Sequence, residues 1–377
     1  MRYYLDYNST SPLASSVKGW LKESELPFAN ASSIHSSGKA SRALITQTTD
    51  FLSELFNAAD FQIFYHSGAS EGINTIIKGW CLSKEKAHVF CSMIDHASAL
   101  KCQELLERFA VEFHLFPIDK NGNFDKEKLI AEIKSCEGPV LLNYTWVNNV
   151  TGVVWDLKWA EEIKRETGAT IHVDSVQVPG KIKNWNEINP NLDYYTYSGH
   201  KFGALKGVGF TFFKTDFMPL IHGGGQQNGK RSGTENVMGV YSLKLALEEM
   251  LSKSRPEELS KAKMFLENSL REFLGEEGTV VASNSPRNNN TILFLQRLEA
   301  PEIVQIAFDQ EGLELGTGSA CSSGIQVPDR ILLAHGYSKE DALRGFRLSL
   351  GPFSTLALAE TIWPKIEAVL QRFRTVQ

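Results

Sequence analysis

Lys201 closes the segment Tyr197-Ser198-Gly199-His200-Lys201, directly after the strand-like run Leu192 to Thr196. An amine flanked by an imidazole and a hydroxyl, just past a buried strand, is what condensation with an aldehyde requires. Upstream, Thr170-Ile171-His172-Val173-Asp174 reads as another strand, and it ends in a carboxylate. A carboxylate held there suits the pyridinium nitrogen of pyridoxal phosphate (PLP), with Lys201 as the attachment point. Asp174 is too early in the chain to be local to Lys201, so their pairing is an expectation about tertiary structure.

Other polar groups follow strand-like runs in the same way. Phe61-Gln62-Ile63-Phe64-Tyr65 leads into Ser67-Gly68-Ala69-Ser70-Glu71-Gly72 and then a helical stretch. Small residues before a helix let backbone N–H groups approach a phosphate, although they also serve as a plain turn and cap. Ala87 to Cys91 leads to Asp95-His96, where His96 either fills a polar position or stacks on a flat ring and handles protons. Asn148-Asn149 and Gln177 offer amide donors to a phenolate or a carboxylate, and the paired Asn also suits a turn. Cys321 lies in Gly316-Thr317-Gly318-Ser319-Ala320-Cys321-Ser322-Ser323-Gly324, text too polar and Gly-rich for a core segment. It is either an inert turn cysteine or a thiol free to reach a reacting group.

These motifs need a scaffold that gathers strand ends. From Phe61 to Phe213, short apolar runs alternate with helical stretches such as Glu71 to Trp80, Ala97 to Phe109, Asp125 to Lys134 and Leu157 to Thr167. That rhythm predicts an α/β fold with a mostly parallel sheet covered on both faces, and ligands of such sheets bind at the carboxyl ends of the strands. A long helical region, Val237 to Phe273, precedes strand candidates at Thr279 to Ala282, Thr291 to Leu295 and Phe346 to Leu350. The expected organisation is an N-terminal segment over residues 1–20, a large cofactor-binding domain over 21–240 and a smaller α+β domain over 241–377 that carries the Cys321 loop.

Composition excludes several classes. Lys plus Arg number 39 against 44 Asp plus Glu, a formal charge of −5, so no basic footprint points to nucleic acid. No apolar run approaches the length of a membrane span, and the start lacks the apolar region of a signal peptide, so a cytoplasmic location is expected. Five cysteines with no CxxC pair argue against a disulfide framework or a zinc site, and Cys81, Cys91, Cys102 and Cys136 read as small buried hydrophobes.

Taken together and in order, these motifs resemble the cysteine desulfurases of the class V aminotransferase superfamily, which have the PLP-dependent transferase fold type I. The resemblance runs from Tyr4-Leu5-Asp6-Tyr7-Asn8-Ser9-Thr10, through Phe28-Ala29-Asn30-Ala31-Ser32-Ser33-Ile34-His35 and the motifs above, to Arg231-Ser232-Gly233-Thr234-Glu235-Asn236, Gly318-Ser319-Ala320-Cys321-Ser322 and Phe346-Arg347-Leu348-Ser349-Leu350-Gly351. It implies a large domain with a mostly parallel seven-stranded sheet. Lys201, Cys321 and His96 would be catalytic. Ala69, Ser70, Ser198, His200 and Thr234 would hold the phosphate, with Thr234 reaching across a homodimer interface. Asp174 would meet the ring nitrogen, Gln177 and Asn149 the ring oxygen and the substrate, and Arg347 the substrate carboxylate. L-Cysteine would yield L-alanine and a Cys321 persulfide, destined for a sulfur-acceptor protein of iron–sulfur assembly or tRNA thiolation. A selenocysteine lyase, another class V aminotransferase and a non-catalytic scaffold share this fold. Departures from the family pattern are Val150, after the paired Asn, in place of an acidic residue, Phe202-Gly203-Ala204-Leu205 after the lysine, and Ala29 and Ala31 in the early loop.

Overall fold

The computed structural model describes residues 1–317 and 327–374. Its strands are β1 (Tyr3–Leu5), β2 (Gln62–His66), β3 (Ala87–Ser92), β4 (Val111–Phe116), β5 (Val140–Thr145), β6 (Thr170–Asp174), β7 (Tyr194–Ser198), β8 (Gly209–Phe213), β9 (Gly278–Val280), β10 (Thr291–Gln296), β11 (Leu313–Thr317) and β12 (Gly345–Ser349). Seven form one sheet in the order β2-β8-β7-β6-β5-β3-β4, and five form another in the order β1-β11-β12-β10-β9. In the larger sheet every pairing is parallel except the two made by β8. Strands β3, β5 and β7 are buried along their whole length, as expected where helices cover both faces of a parallel sheet.

Local chemistry sets the helix ends. Asp125 caps helix Lys126–Lys134 by accepting from the Lys128 amide, and Asp156 caps Leu157–Thr167 by accepting from the Lys158 amide. Gly168, in the left-handed region at φ 73°, ends the second of these. The long helical region expected at Val237 to Phe273 is two helices, Val237–Lys253 and Pro256–Leu274. Pro256 has no N–H to continue the first helix, and it holds Arg255 in a non-helical conformation. The single helix expected at Ala97 to Phe109 is two short ones, Ala97–Leu100 and Gln103–Leu106, although Cys102 between them keeps helical angles.

Strands β1 and β11 carried no strand signal. β1 has three residues, and β11 includes Gly316, which reads as loop text beside Thr317-Gly318. β1 forms by parallel pairing with β11, Tyr3 opposite Leu313 and Leu5 opposite Leu315, and β11 in turn pairs antiparallel with β12, which brings the N-terminal segment onto the smaller sheet. Among the cysteines, Cys81, Cys91 and Cys102 are buried as expected, whereas Cys136 is only half-buried. No helix among the described residues is long and apolar enough to cross a membrane.

Candidate active site

The parallel strands deliver their carboxyl ends to one edge of the large sheet, and a cavity of about 610 Å³ opens there. Register explains how Asp174 and Lys201 meet. Asp174 pairs with Thr196 on β7, so that strand runs two residues further to Ser198 and then turns through Gly199–Lys201 over the pocket. Of the residues predicted from sequence, Ala69, Ser70, His96, Asn149, Asp174, Gln177, Ser198, His200 and Lys201 all line this cavity. Arg347 and Thr234 do not. Arg347 stands behind the wall, its Nη1 donating to the Asn149 carbonyl at 3.2 Å and its Nη2 to Asp6 Oδ1 at 2.7 Å. Thr234 is exposed on the loop before helix Val237–Lys253. Cys321 lies outside the described residues.

The Ser67 to Gly72 turn adopts the shape its glycines allow. Gly68 has φ 156°, which side-chain-bearing residues avoid, and precedes helix Ala69–Leu82. Gly72 lets that helix sit on His66, because a Cβ there would lie 2.5 Å from the ring Nε2. Glu71 secures the turn by accepting from the Ser67 amide at 2.8 Å and from Arg231 Nε at 2.9 Å. The helix N-terminus thus presents unpaired amides and the positive end of its dipole toward the cavity, beside Ser198 and His200.

The electrostatics of the pocket are unusual at both key residues. Burial raises the Asp174 carboxyl to about 6, against the opposing pull of the Val176 amide and the Lys201 charge. Its Oδ1 accepts from the Val176 N–H at 3.1 Å. Burial first, and the Arg347 charge second, lower the Lys201 amine to about 8. Lys201 Nζ donates to the carbonyls of Asn8 and Ser9, each at 2.7 Å. The imidazole of His96 opens onto the cavity and accepts from Ser98 through Nδ1. Burial, then the Lys201 and Arg330 cations, hold it below its ordinary value, so it is neutral at pH 7.

The profile of the aminotransferase class-V family matches residues 3–357. "Cysteine desulfurase IscS" of Dictyoglomus turgidum is 31% identical over 99% of this chain and 95% of that protein. The chain is a class-V aminotransferase of the cysteine desulfurase group. Among solved structures, a NifS-like protein from Rickettsia africae superimposes with a TM-score of 0.84 at 26% identity, covering 98% of this chain and 100% of that one. The structure described as SspA in complex with cysteine gives a TM-score of 0.77 at 25% identity, over 94% of this chain and 100% of that one.

Behind the pocket of this class-V aminotransferase stand residues that were not singled out from sequence. Asn8 is a buried hub. Its carbonyl accepts from Gln177 Nε2 (3.0 Å) and Lys201, its Oδ1 from Lys181 Nζ (3.1 Å) and Asn290 Nδ2 (3.1 Å), and its Nδ2 donates to Thr291 Oγ1 (2.8 Å) and the Asn149 carbonyl (3.0 Å). Lys181 is buried and also donates to Gln177 Oε1, which fixes that amide with its NH₂ toward the Asn8 carbonyl. Only the opening motif Tyr4 to Thr10 hinted at Asn8, and Lys181 had no signal beyond its place four residues after Gln177.

A second unforeseen feature is a polar ladder across the sheet beneath the pocket. Asn143 Nδ2 donates to Asp95 (2.6 Å), His172 Nδ1 pairs with Asn143 Oδ1 (2.6 Å), and His172 Nε2 pairs with Thr196 Oγ1 (2.8 Å). Thr196 pairs with Thr211 (2.9 Å), which pairs with His66 Nε2 (3.0 Å). Buried polar groups carry a desolvation cost unless paired, and here each link pairs with the next as far as His66 Nε2. The ladder ties the strand before the Ser67 to Gly72 turn to the residue preceding His96.

Proposed function

We propose that this class-V aminotransferase is a PLP-dependent cysteine desulfurase that converts L-cysteine to L-alanine and accepts the sulfur on Cys321. The observation that carries this reading is the convergence of Lys201, Asp174, His96 and Gln177 on one cavity beside a glycine turn and a helix N-terminus. The residues fit PLP on two counts. Asp174 has no cationic hydrogen-bonding partner among the described residues, although it is buried. The turn offers backbone amides suited to a phosphate.

PLP, when bound, supplies an electron-withdrawing ring that stabilises negative charge at the substrate Cα. Asp174 would keep the ring nitrogen protonated. Lys201 would tether the cofactor and, once released, move the α-proton on Nζ. Gln177 would donate through Nε2, its amide held in that orientation by Lys181. Asn149 would orient the ring oxygen and the substrate, and His96 would cover one face of the ring. Cys321, as thiolate, would attack the substrate sulfur. An S–S bond forms as the Cβ–S bond breaks, the electron pair passes to the carbon skeleton, and protonation there completes alanine. The persulfide would pass to an acceptor protein of iron–sulfur assembly or tRNA thiolation.

A homodimer belongs to the same reading, because Thr234 lies off its own pocket and has a cofactor role only if a second copy places it at the other site; a cytoplasmic location is proposed with it. The division at residues 20 and 240 is also proposed. It is supported by the two sheets and by a separate apolar cluster around Leu266, Phe294, Phe308 and Phe346.

The deciding experiment is turnover of L-cysteine, L-selenocysteine and L-alanine side by side, with the persulfide mapped by mass spectrometry. Alanine release from L-cysteine with the extra sulfur on Cys321 is expected. Release from selenocysteine alone, or sulfur on another cysteine, would overturn the assignment. For Arg347→Ala we expect KM for L-cysteine to rise about 10- to 100-fold, the equivalent of the ~1.5–3 kcal/mol of a charge-assisted hydrogen bond, with a smaller change in kcat. Steady-state kinetics showing an unchanged KM would remove Arg347 from the carboxylate site.

A further inference from the structure

At the end of the large sheet remote from the pocket, three metal-ligating side chains meet. The β3–β4 register sets His88 opposite Glu112 and Phe90 opposite His114, so these four residues share one face of the sheet. Cys136 reaches that face from the turn after helix Lys126–Lys134. The donor atoms of His88, His114 and Cys136 all lie within 4.8 Å of one another. We propose that His88, His114 and Cys136 bind a borderline-soft divalent cation of the zinc type, with the fourth position left to water or Glu112.

The hydrogen bonds already orient the donors. A carbonyl only accepts, so the contact of His88 Nε2 with the Glu137 carbonyl at 3.2 Å places a proton on that nitrogen. In the neutral ring the lone pair therefore sits on Nδ1, which faces His114 Nε2 at 3.1 Å. Two imidazole nitrogens on one tetrahedral zinc ion stand roughly 3.3 Å apart, so this pair is close to ligand spacing. The backbone carbonyl supplies the outer partner that ligating histidines commonly have. Phe90 stacks on the His114 ring with centroids 4.4 Å apart, which holds its orientation. The Glu112 carboxylate lies 3.7 Å from His88 Nδ1 and adds negative charge.

Binding has a defined proton balance. His114 moves its ring proton from Nε2 to Nδ1, and the Cys136 thiol, which donates to the Glu132 carbonyl at 3.5 Å, gives one proton to solvent as Sγ turns to the ion. His88 lies four residues before Ser92 along β3, roughly 13 Å from the pocket end of that strand, so the ion would brace the sheet edge without touching the reacting atoms. Sequence spacing concealed this site, because its donors come from two strands and a turn.

The test is titration of chelator-treated holoenzyme with Co²⁺, which reports tetrahedral thiolate coordination at wavelengths beyond those of the cofactor. One equivalent per chain with the visible ligand-field band of a tetrahedral, thiolate-bound cobalt ion, displaced by Zn²⁺, is expected. Cys136→Ser should remove the band and weaken binding more than about 100-fold, beyond the 10–100-fold that loss of an outer partner costs, while turnover of L-cysteine stays intact. His114→Ala, at a half-buried position, should weaken binding similarly, and Cys321→Ser should leave the band in place. Absence of stoichiometric cobalt, a band indifferent to Cys136→Ser, or a band lost with Cys321→Ser would overturn the proposal.

Discussion

Lys201→Ala is expected to lose more than about 10³-fold in turnover, because one amine both tethers the cofactor and moves the substrate proton, and a positioned general base alone contributes about 10²–10⁴-fold. The structure places Nζ against the Asn8 and Ser9 carbonyls, at the turn that follows β7. The purified variant should lack the visible absorbance of the wild type. Borohydride-treated wild-type protein should carry the cofactor mass on the peptide containing Lys201. The sign of the pH dependence also follows. Burial and the Arg347 charge bring this amine down to about 8, and it must be neutral to accept a proton, so kcat should rise with pH, reach half its plateau near 8 and level off above it. A variant that keeps both colour and turnover, or a kcat that falls as pH rises from 6 to 8, would refute the role of Lys201.

Asp174→Asn should separate function from stability. The side chain keeps its shape and can still accept from the Val176 amide, but it no longer offers a negative charge to a ring nitrogen. Loss of a preorganised electrostatic partner at a reacting centre costs about 10²–10³-fold in kcat. Stability should move the other way in cofactor-free protein. Burial raises this carboxyl from 3.8 to about 6, so the folded chain favours the protonated form. A raised carboxyl leaves stability unaffected below the unfolded value, where both states are protonated, and lowers it as pH climbs through the folded value. At pH 7 the difference corresponds to about 3 kcal/mol. Urea unfolding of cofactor-free protein should therefore show Asp174→Asn more stable than wild type above pH 6, with the gain gone below about pH 4. Equal stability at pH 7 would mean that Asp174 is not the strained buried charge described here, and full activity in the variant would remove it from the ring nitrogen.

These two residues also show how far sequence reading reaches. The run Thr170 to Asp174 and the segment Ser198 to Lys201 were each legible, because strand periodicity and motif order are local properties. The runs at Phe61 to Tyr65, Ala87 to Cys91 and Leu192 to Thr196 were legible for the same reason, to within one or two residues at their ends. Short strands such as β1 were not, since three residues carry no period and gain their pairing only from a distant partner.

What the sequence determined by itself was the α/β alternation, the residues that end each strand, and the family that the ordered motifs resemble. Tertiary structure alone decided the strand order that sets Asp174 beside β7, the burial that shifts Asp174 and Lys201 toward each other in acidity, and the Asn8–Lys181–Gln177 network behind them. It also decided the meeting of His88, His114 and Cys136. The reason is physical. Backbone periodicity depends on neighbours a few residues away, whereas desolvation and hydrogen-bond pairing depend on what the folded sheet brings into contact from far along the chain.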